Sequence, residues 1–229
     1  MLSGEFNNRL IGTVDVPATV VQPVDVRVAS PIYVRFVKPV FDRVGGLVLS
    51  VLTLPLIIPI LLAIRLTMGK HPLFVQERVG KDGDTFKVFK LRTMNSDRRA
   101  IPMHYVGPDR RLTHKSENDP RVTPLGGFLR KYSLDELPQF WNVLLGSMSL
   151  VGPRPELVDI VDNYEPWQHQ RHIVRPGITG LWQVSERGEI PLHEATDVDL
   201  AYLKNLSFGK DLAILIRTIP AAMGKRTGF

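Results

Sequence analysis

The 229-residue chain contains no cysteine. Disulfide frameworks, thiolate zinc centres, iron–sulfur clusters and cysteine nucleophiles are therefore excluded. It also lacks the glycine-rich phosphate loop ending in Gly-Lys-Ser/Thr and the Gly-x-Gly-x-x-Gly turn, so the two commonest nucleotide-binding folds lose their support. No recognition-helix, zinc or stacking-aromatic pattern of a nucleic-acid-binding protein is present, and no nucleic-acid partner is expected. Long apolar runs are scarce: there is one, which excludes a polytopic membrane protein. Acidic residues are outnumbered, 23 against 29 Lys and Arg, giving a net charge of +6 and favouring an anionic partner. With 44% hydrophobic and 23% charged residues, the composition is that of one globular domain with at most a short appendage.

Residues 1–30 are Val-rich but interrupted by Asp15, Pro17, Pro23 and Asp25, and read as an extended arm rather than a signal peptide. Residues 31–229 are expected to form the functional domain. Its dominant feature is the uncharged stretch from Val44 to Ile64, twenty-one residues long, a membrane-length run. Pro55 and Pro59 inside it each remove a helical N–H, so a kink or break is expected there. Basic residues flank both ends (Arg35, Lys38 and Arg43; Arg65, Lys70, Arg78 and Lys81), which removes the charge asymmetry that orients a spanning helix. The expectation is a re-entrant helix over about 36–67, broken at the prolines, with both ends on the cytoplasmic side. A simple span and a buried core helix are the rival readings.

Beyond the run, Phe74–Val79 and Thr85–Met94 read as strands around the turn Gly80-Lys81-Asp82-Gly83. Asn95–Asp119 reads as a long loop, Ser133–Leu145 as an amphipathic helix and Glu156–Ile173 as a polar helix. Asp211–Met223 is apolar, is interrupted by Arg217 and Pro220, and suits either the core or a membrane surface. The fold class expected is α/β: a compact, mainly helical domain with a small hairpin, a membrane helix and surface amphipathic helices.

Two Asp-x-Asp pairs, Asp82/Asp84 and Asp197/Asp199, have the form that holds a divalent cation against a sugar nucleotide, although the first also suits a plain turn. Arg130 to Gln139 (RKYSLDELPQ) has the form of a capping box, Ser133 as N-cap and Glu136 three residues on. A carboxylate held ionised at a helix start is equally suited to nucleophilic attack. Arg154, bracketed by prolines in Gly152-Pro153-Arg154-Pro155, and Arg175, leading Arg175-Pro176-Gly177-Ile178-Thr179-Gly180, join Arg130, Lys90 and Arg92 as fixed cations matched to phosphate oxygens.

These segments resemble the bacterial sugar transferases known as monotopic phosphoglycosyl transferases. The likeness runs from Val34 to about Thr227 through GKHPLFVQERVGKDGDTFKVFKLRTM, LRKYSLDELPQFWNVLLGSMSLVGPRPE and RHIVRPGITGLWQV. It implies a cytoplasmic-face enzyme of the bacterial inner membrane that moves a sugar phosphate from a nucleotide sugar, usually a UDP-sugar, to polyprenyl phosphate, releasing UMP and starting a glycan. It makes Asp135 the nucleophile and gives Glu136 a role in magnesium binding or proton handling; Mg2+ is the implied cofactor, with Asp135 and Glu136 as its candidate ligands. Lys90, Arg130, Arg154 and Arg175 fall at the substrate phosphates, and Arg92, Thr179, Gln183 and Arg187 in the nucleotide and sugar region. A homodimer is left open. The chain departs from the pattern at Leu54-Pro55, where relatives often place Ser before the bend proline, at Ser147, and at Val184-Ser185-Glu186-Arg187-Gly188, which leaves the sugar unnamed. The rival functions are an Asp-x-Asp glycosyltransferase releasing UDP and a basic membrane-bound scaffold without chemistry.

Overall fold

A computed structural model describes residues 30–95, 119, 121–185 and 195–223. The expected arm, the interior of the Asn95–Asp119 loop and Arg187 lie outside the described residues. The apolar run forms one long helix: a π-helical turn, Tyr33–Val37, leads into α1, Lys38–Met68. Only one side of α1 is covered. Lys38, Asp42, Gly46, Ser50, Ile57, Ile64 and Met68 are buried, in steps of four and seven residues that trace a single stripe. The opposite side exposes Val40, Val44, Leu47, Val51, Ile58, Leu62 and Leu66. A core helix of a water-soluble protein would be covered all round, yet only 17% of the most apolar window is buried.

The break expected at Pro55 and Pro59 is not a break in secondary structure, because α1 runs through both. The rest of the helical ladder persists, Thr53 donates its hydroxyl back to Leu49 O at 2.7 Å, and the domain packs against Ile57 between the two prolines. Gly46 permits a close crossing: a Cβ there would lie 2.8 Å from Leu144 N.

Strands β1, Leu73–Val79, and β2, Thr85–Leu91, form the antiparallel hairpin read from the sequence. Its tip places Asp82 at φ 57 and Gly83 at φ 86, as an Asp-Gly turn requires. Strand β2 stops at Leu91 rather than Met94, because Thr93 O is claimed by Thr123 N, where α2, Pro124–Lys131, begins. Met94 keeps a single bridge to Val122.

Two expected helices are divided by prolines. Ser133–Leu145 becomes a 3-10 turn, Leu134–Glu136, and helix α3, Gln139–Leu145. The capping box does not form: Ser133 is left-handed (φ 56) and its side chain makes no cap bond, while Pro138 has no N–H to continue the ladder. Glu156–Ile173 becomes the short α4, Val158–Val161, and a 3-10 segment, Gln168–Ile173, with Pro166 between them. A second sheet pairs β3, Ser149–Val151, in parallel with β4, Gly177–Thr179. Three residues per strand are too few to show alternation in a sequence. Helices α5, Leu181–Ser185, α6, Thr196–Lys204, and α7, Phe208–Met223, complete the described residues, and α7 continues through Arg217 and Pro220. The result is a helix-dominated α/β domain with two small sheets.

One apolar cluster joins Val143, Met148, Leu150, Val151, Leu203, Leu206 and Ile214. A second joins Ile57, Ile64 and Met68 of α1 to Leu91 and Leu129, with Leu134 and Leu137 packed on it. These last two leucines bracket Asp135 and Glu136, so the acid pair is seated over the C-terminal half of α1.

Candidate active site

The acid-bearing turn is a short bridge between α2 and α3, and four basic residues from four elements of the chain surround it. Lys90 comes from β2. Its Nζ lies 3.1 Å from Glu136 Oε1. Arg154, on the turn after β3, donates from Nη2 to the same oxygen at 2.6 Å and from Nη1 to Oε2 at 3.4 Å. Arg130, on the last turn of α2, donates from Nε to Thr93 Oγ1 at 2.9 Å and acts electrostatically on Asp135. Arg78 of β1 is charge-coupled to Glu136 and Arg154 and lies 3.6 Å from Glu156.

The backbone that carries Arg154 is laced in place. Gly152 N donates to Thr179 O and Gly177 N to Pro153 O, both at 2.9 Å. A Cβ on Gly177 would come within 2.1 Å of Gly152 N, which is why both turns carry glycine. Arg171, itself buried in an ion pair with Asp199 at 2.6 Å, donates to Arg154 O at 2.9 Å. Asn142 fixes the other wall: it accepts from Phe89 N and donates to Lys87 O, tying α3 to the strand that bears Lys90.

Two adjacent carboxyls are thereby driven apart. Burial alone would raise Glu136, but Arg154 and Lys90 outweigh it and hold this carboxyl well below the usual range. For Asp135 burial prevails. It is pushed up to about 6, with Glu136 adding to the rise and Lys90, Arg130 and Arg154 opposing it. Burial lowers Lys90 despite its acid partner, whereas the carboxylate of Glu136 raises Arg154. Glu136 is thus the fixed anion that organises the cations. Among the described residues no hydrogen bond is made to the Asp135 carboxylate.

The remaining sequence-derived candidates are placed as follows. Arg92 donates from Nε to Met94 O. The hydroxyl of Thr179 shares a 2.7 Å hydrogen bond with Thr218 of α7, and Gln183 is buried with Nε2 donating to Ile178 O. Arg175 sits at the entry to β4, its backbone packed by Gly152. The Asp-x-Asp pairs are far from equivalent to a metal site: Asp82 caps the exposed hairpin tip beside Lys81, and Asp199 is consumed by Arg171. Among the described residues no group of three His, Asp or Glu side chains is arranged to hold a metal ion. No protein cage for magnesium is therefore formed by the described residues, and Glu136 is already engaged by Lys90 and Arg154. The donor set fits an ion carried mainly by a diphosphate, with Asp135 as the available carboxylate.

Arg78, Thr93, Asn142 and Arg171 are absent from the sequence-derived site. Only Arg78 left a readable signal, because antiparallel register puts Arg78, Gln76 and Lys90 on one face of the hairpin.

Residues 33–225 match the family model for bacterial sugar transferases. The chain belongs to this family. Its relatives include a UDP-galactose-lipid carrier transferase of Erwinia amylovora, 42% identical over 82% of this chain and 40% of the relative. The exopolysaccharide production protein ExoY of Rhizobium meliloti is 37% identical over 82% of this chain and 86% of its own length. The undecaprenyl-phosphate galactose phosphotransferase of Salmonella typhimurium is 37% identical over 78% and 38% respectively. The chain thus corresponds to about two fifths of the length of several relatives, and to most of the length of ExoY.

Proposed function

We propose that this family member transfers a sugar phosphate from a UDP-sugar to a polyprenyl phosphate in two displacements, at the cytoplasmic face of the bacterial inner membrane, as the first membrane step of glycan synthesis. The observation that carries the reading is the division between the two acids. Asp135 is free of hydrogen-bond donors among the described residues, whereas Glu136 is clamped by Lys90 and Arg154.

In the first displacement an Asp135 oxygen attacks the phosphorus that bears the sugar. The bond from that phosphorus to the bridging oxygen breaks, and UMP departs with the electron pair. In the second, a phosphate oxygen of the lipid attacks the same phosphorus and the Asp135 carboxylate leaves. A carboxylate approaching a diphosphate meets like charge, about 4 kcal/mol per pair at 4 Å with an effective dielectric near 20. Lys90, Arg130, Arg154 and Arg78 offset that repulsion and stabilise charge on the departing nucleotide. A magnesium ion on the diphosphate, with Asp135 as the available protein carboxylate, would supply further charge neutralisation. Separating the steps lets the soluble nucleotide leave before the lipid phosphate arrives.

The monotopic placement has its own support. Both ends of α1 touch the same domain: Lys38 pairs with Asp211 at 2.5 Å, and Met68 packs with Leu91 and Leu129 while Thr123 Oγ1 lies 3.7 Å from its sulfur. A helix tied down at both ends cannot carry one of them across a bilayer. The exposed apolar side of α7, Phe208, Leu212, Ile216 and Ile219, suits the same interface.

Asp135→Asn tests the chemistry. Release of UMP from a UDP-sugar should fall to background in this variant while its thermal midpoint stays at or above that of the wild type, since a costly buried charge is removed. Turnover within a few-fold of wild type would remove Asp135 as the nucleophile, and UDP as the product would favour direct glycosyl transfer.

A further inference from the structure

The described surface carries an aromatic feature that the two displacements leave unused. On α2, Phe128 is 53% exposed and Tyr132 40% exposed. Their rings pack at 5.0 Å between centroids, and Lys131 Nζ lies 5.6 Å from the centre of the Tyr132 ring. Two exposed aromatic rings, tilted 57° to each other on a short helix, are costly in water unless something apolar covers them. The inward side of the same helix, Leu125 and Leu129, packs on α1 in the cluster that contains Ile57, Ile64 and Met68. That stretch of α1 exposes Ile58, Leu62 and Leu66, so the aromatic pair stands on a helix packed directly against the one already assigned to lipid. Tyr132 is three residues before Asp135, and the neighbouring Arg130 acts on Asp135.

Resting on the proposed function, we infer that Phe128 and Tyr132 form the platform that receives the first isoprene units of the lipid acceptor, with Lys131 drawing in its phosphate. The acceptor has two chemically distinct parts, an anion and an unsaturated hydrocarbon chain. The platform offers the matching pair, a cation held on an aromatic ring and an open apolar surface, next to the carboxylate that the lipid phosphate must displace. A bilayer contact alone would account for the aromatics but not for their place beside the acid turn.

The test separates the half-reactions, using full-length Phe128→Ser/Tyr132→Ser protein in lipid nanodiscs. UMP release in the absence of acceptor should match the wild type, which also reports an intact fold. Discharge of the sugar phosphate to a long-chain polyprenyl phosphate should show a KM raised by about tenfold or more, while discharge to methyl phosphate, which has no chain, is unchanged. An unchanged KM for the polyprenyl acceptor, equal losses with both acceptors, or release of the variant from liposomes would each overturn the inference. Absence of UMP release by the wild type would overturn the proposed function itself, and this inference with it.

Discussion

Asp135 and Glu136 are adjacent in sequence yet have opposite fates, and the cause is which of them the cations reach. Arg154 and Lys90 both donate to Glu136, which stays ionised far into acid. Asp135 feels the same cations without a hydrogen bond from them, so burial wins and its carboxyl rises to about 6. A raised carboxyl is neutral below that pH and cannot attack phosphorus. The rate of UMP release should therefore climb about tenfold per unit as pH rises towards 6 and level off above it. Glu136→Gln removes a like charge and frees Arg154 and Lys90 to act on Asp135, so the midpoint of a stopped-flow or quench pH profile should move down. A midpoint unmoved, or moved up, would mean that the profile reports some other group.

Among the elements, α2 shows how a site arises from backbone contacts that the sequence does not announce. Thr123 caps the helix by accepting from Gly126 N at 3.0 Å, and Gly126 lies so near the preceding segment that a Cβ there would be 1.9 Å from Thr93 O. One turn later, Arg130 takes Thr93 Oγ1 as its anchor. Gly126→Ala should consequently cost about 1–3 kcal/mol of stability and also slow UMP release, because Arg130 loses its support. Gly127→Ala, whose nearest neighbour would be Val122 Cγ1 at 3.9 Å, should be neutral or slightly stabilising through helix propensity. Thermal melts of the two variants check the contrast. The hairpin, the long apolar helix and the acid pair with Lys90 and Arg154 were legible because each leaves a local signature: an Asp-Gly turn, an uncharged run, a cation between prolines. The β3–β4 pair was not, since its strands are three residues long and 28 residues apart in register (Ser149 against Gly177 is the first pair). Likewise Ser133 looked like a cap by residue type, whereas Pro138 decided where the helix begins.

For the whole molecule, the decisive geometry is that α1 and the domain share one long seam. From Tyr33 to Met68 the helical stretch has 36 residues, about 54 Å at 1.5 Å per residue, against a hydrocarbon core of about 30 Å. Along it, Lys38 and Asp42 engage Asp211 and Leu150 N near one end, Gly46 meets α3, and Ile57 to Met68 meet α2 and β2. A spanning orientation would drag this seam, and the charged groups of the site with it, through the bilayer, where buried charges without water are expensive. An orientation with the exposed side of α1 in one leaflet leaves the domain in water and the acid turn near the level of lipid phosphates. The absence of cysteine makes the consequence directly measurable. Single cysteines at Arg35 and Lys70, both exposed and on opposite ends of α1, should both react with a membrane-impermeant maleimide in inverted vesicles and neither in intact spheroplasts. If the two ends label from opposite sides, the helix crosses the membrane, and the common seam with the domain cannot exist in the cell.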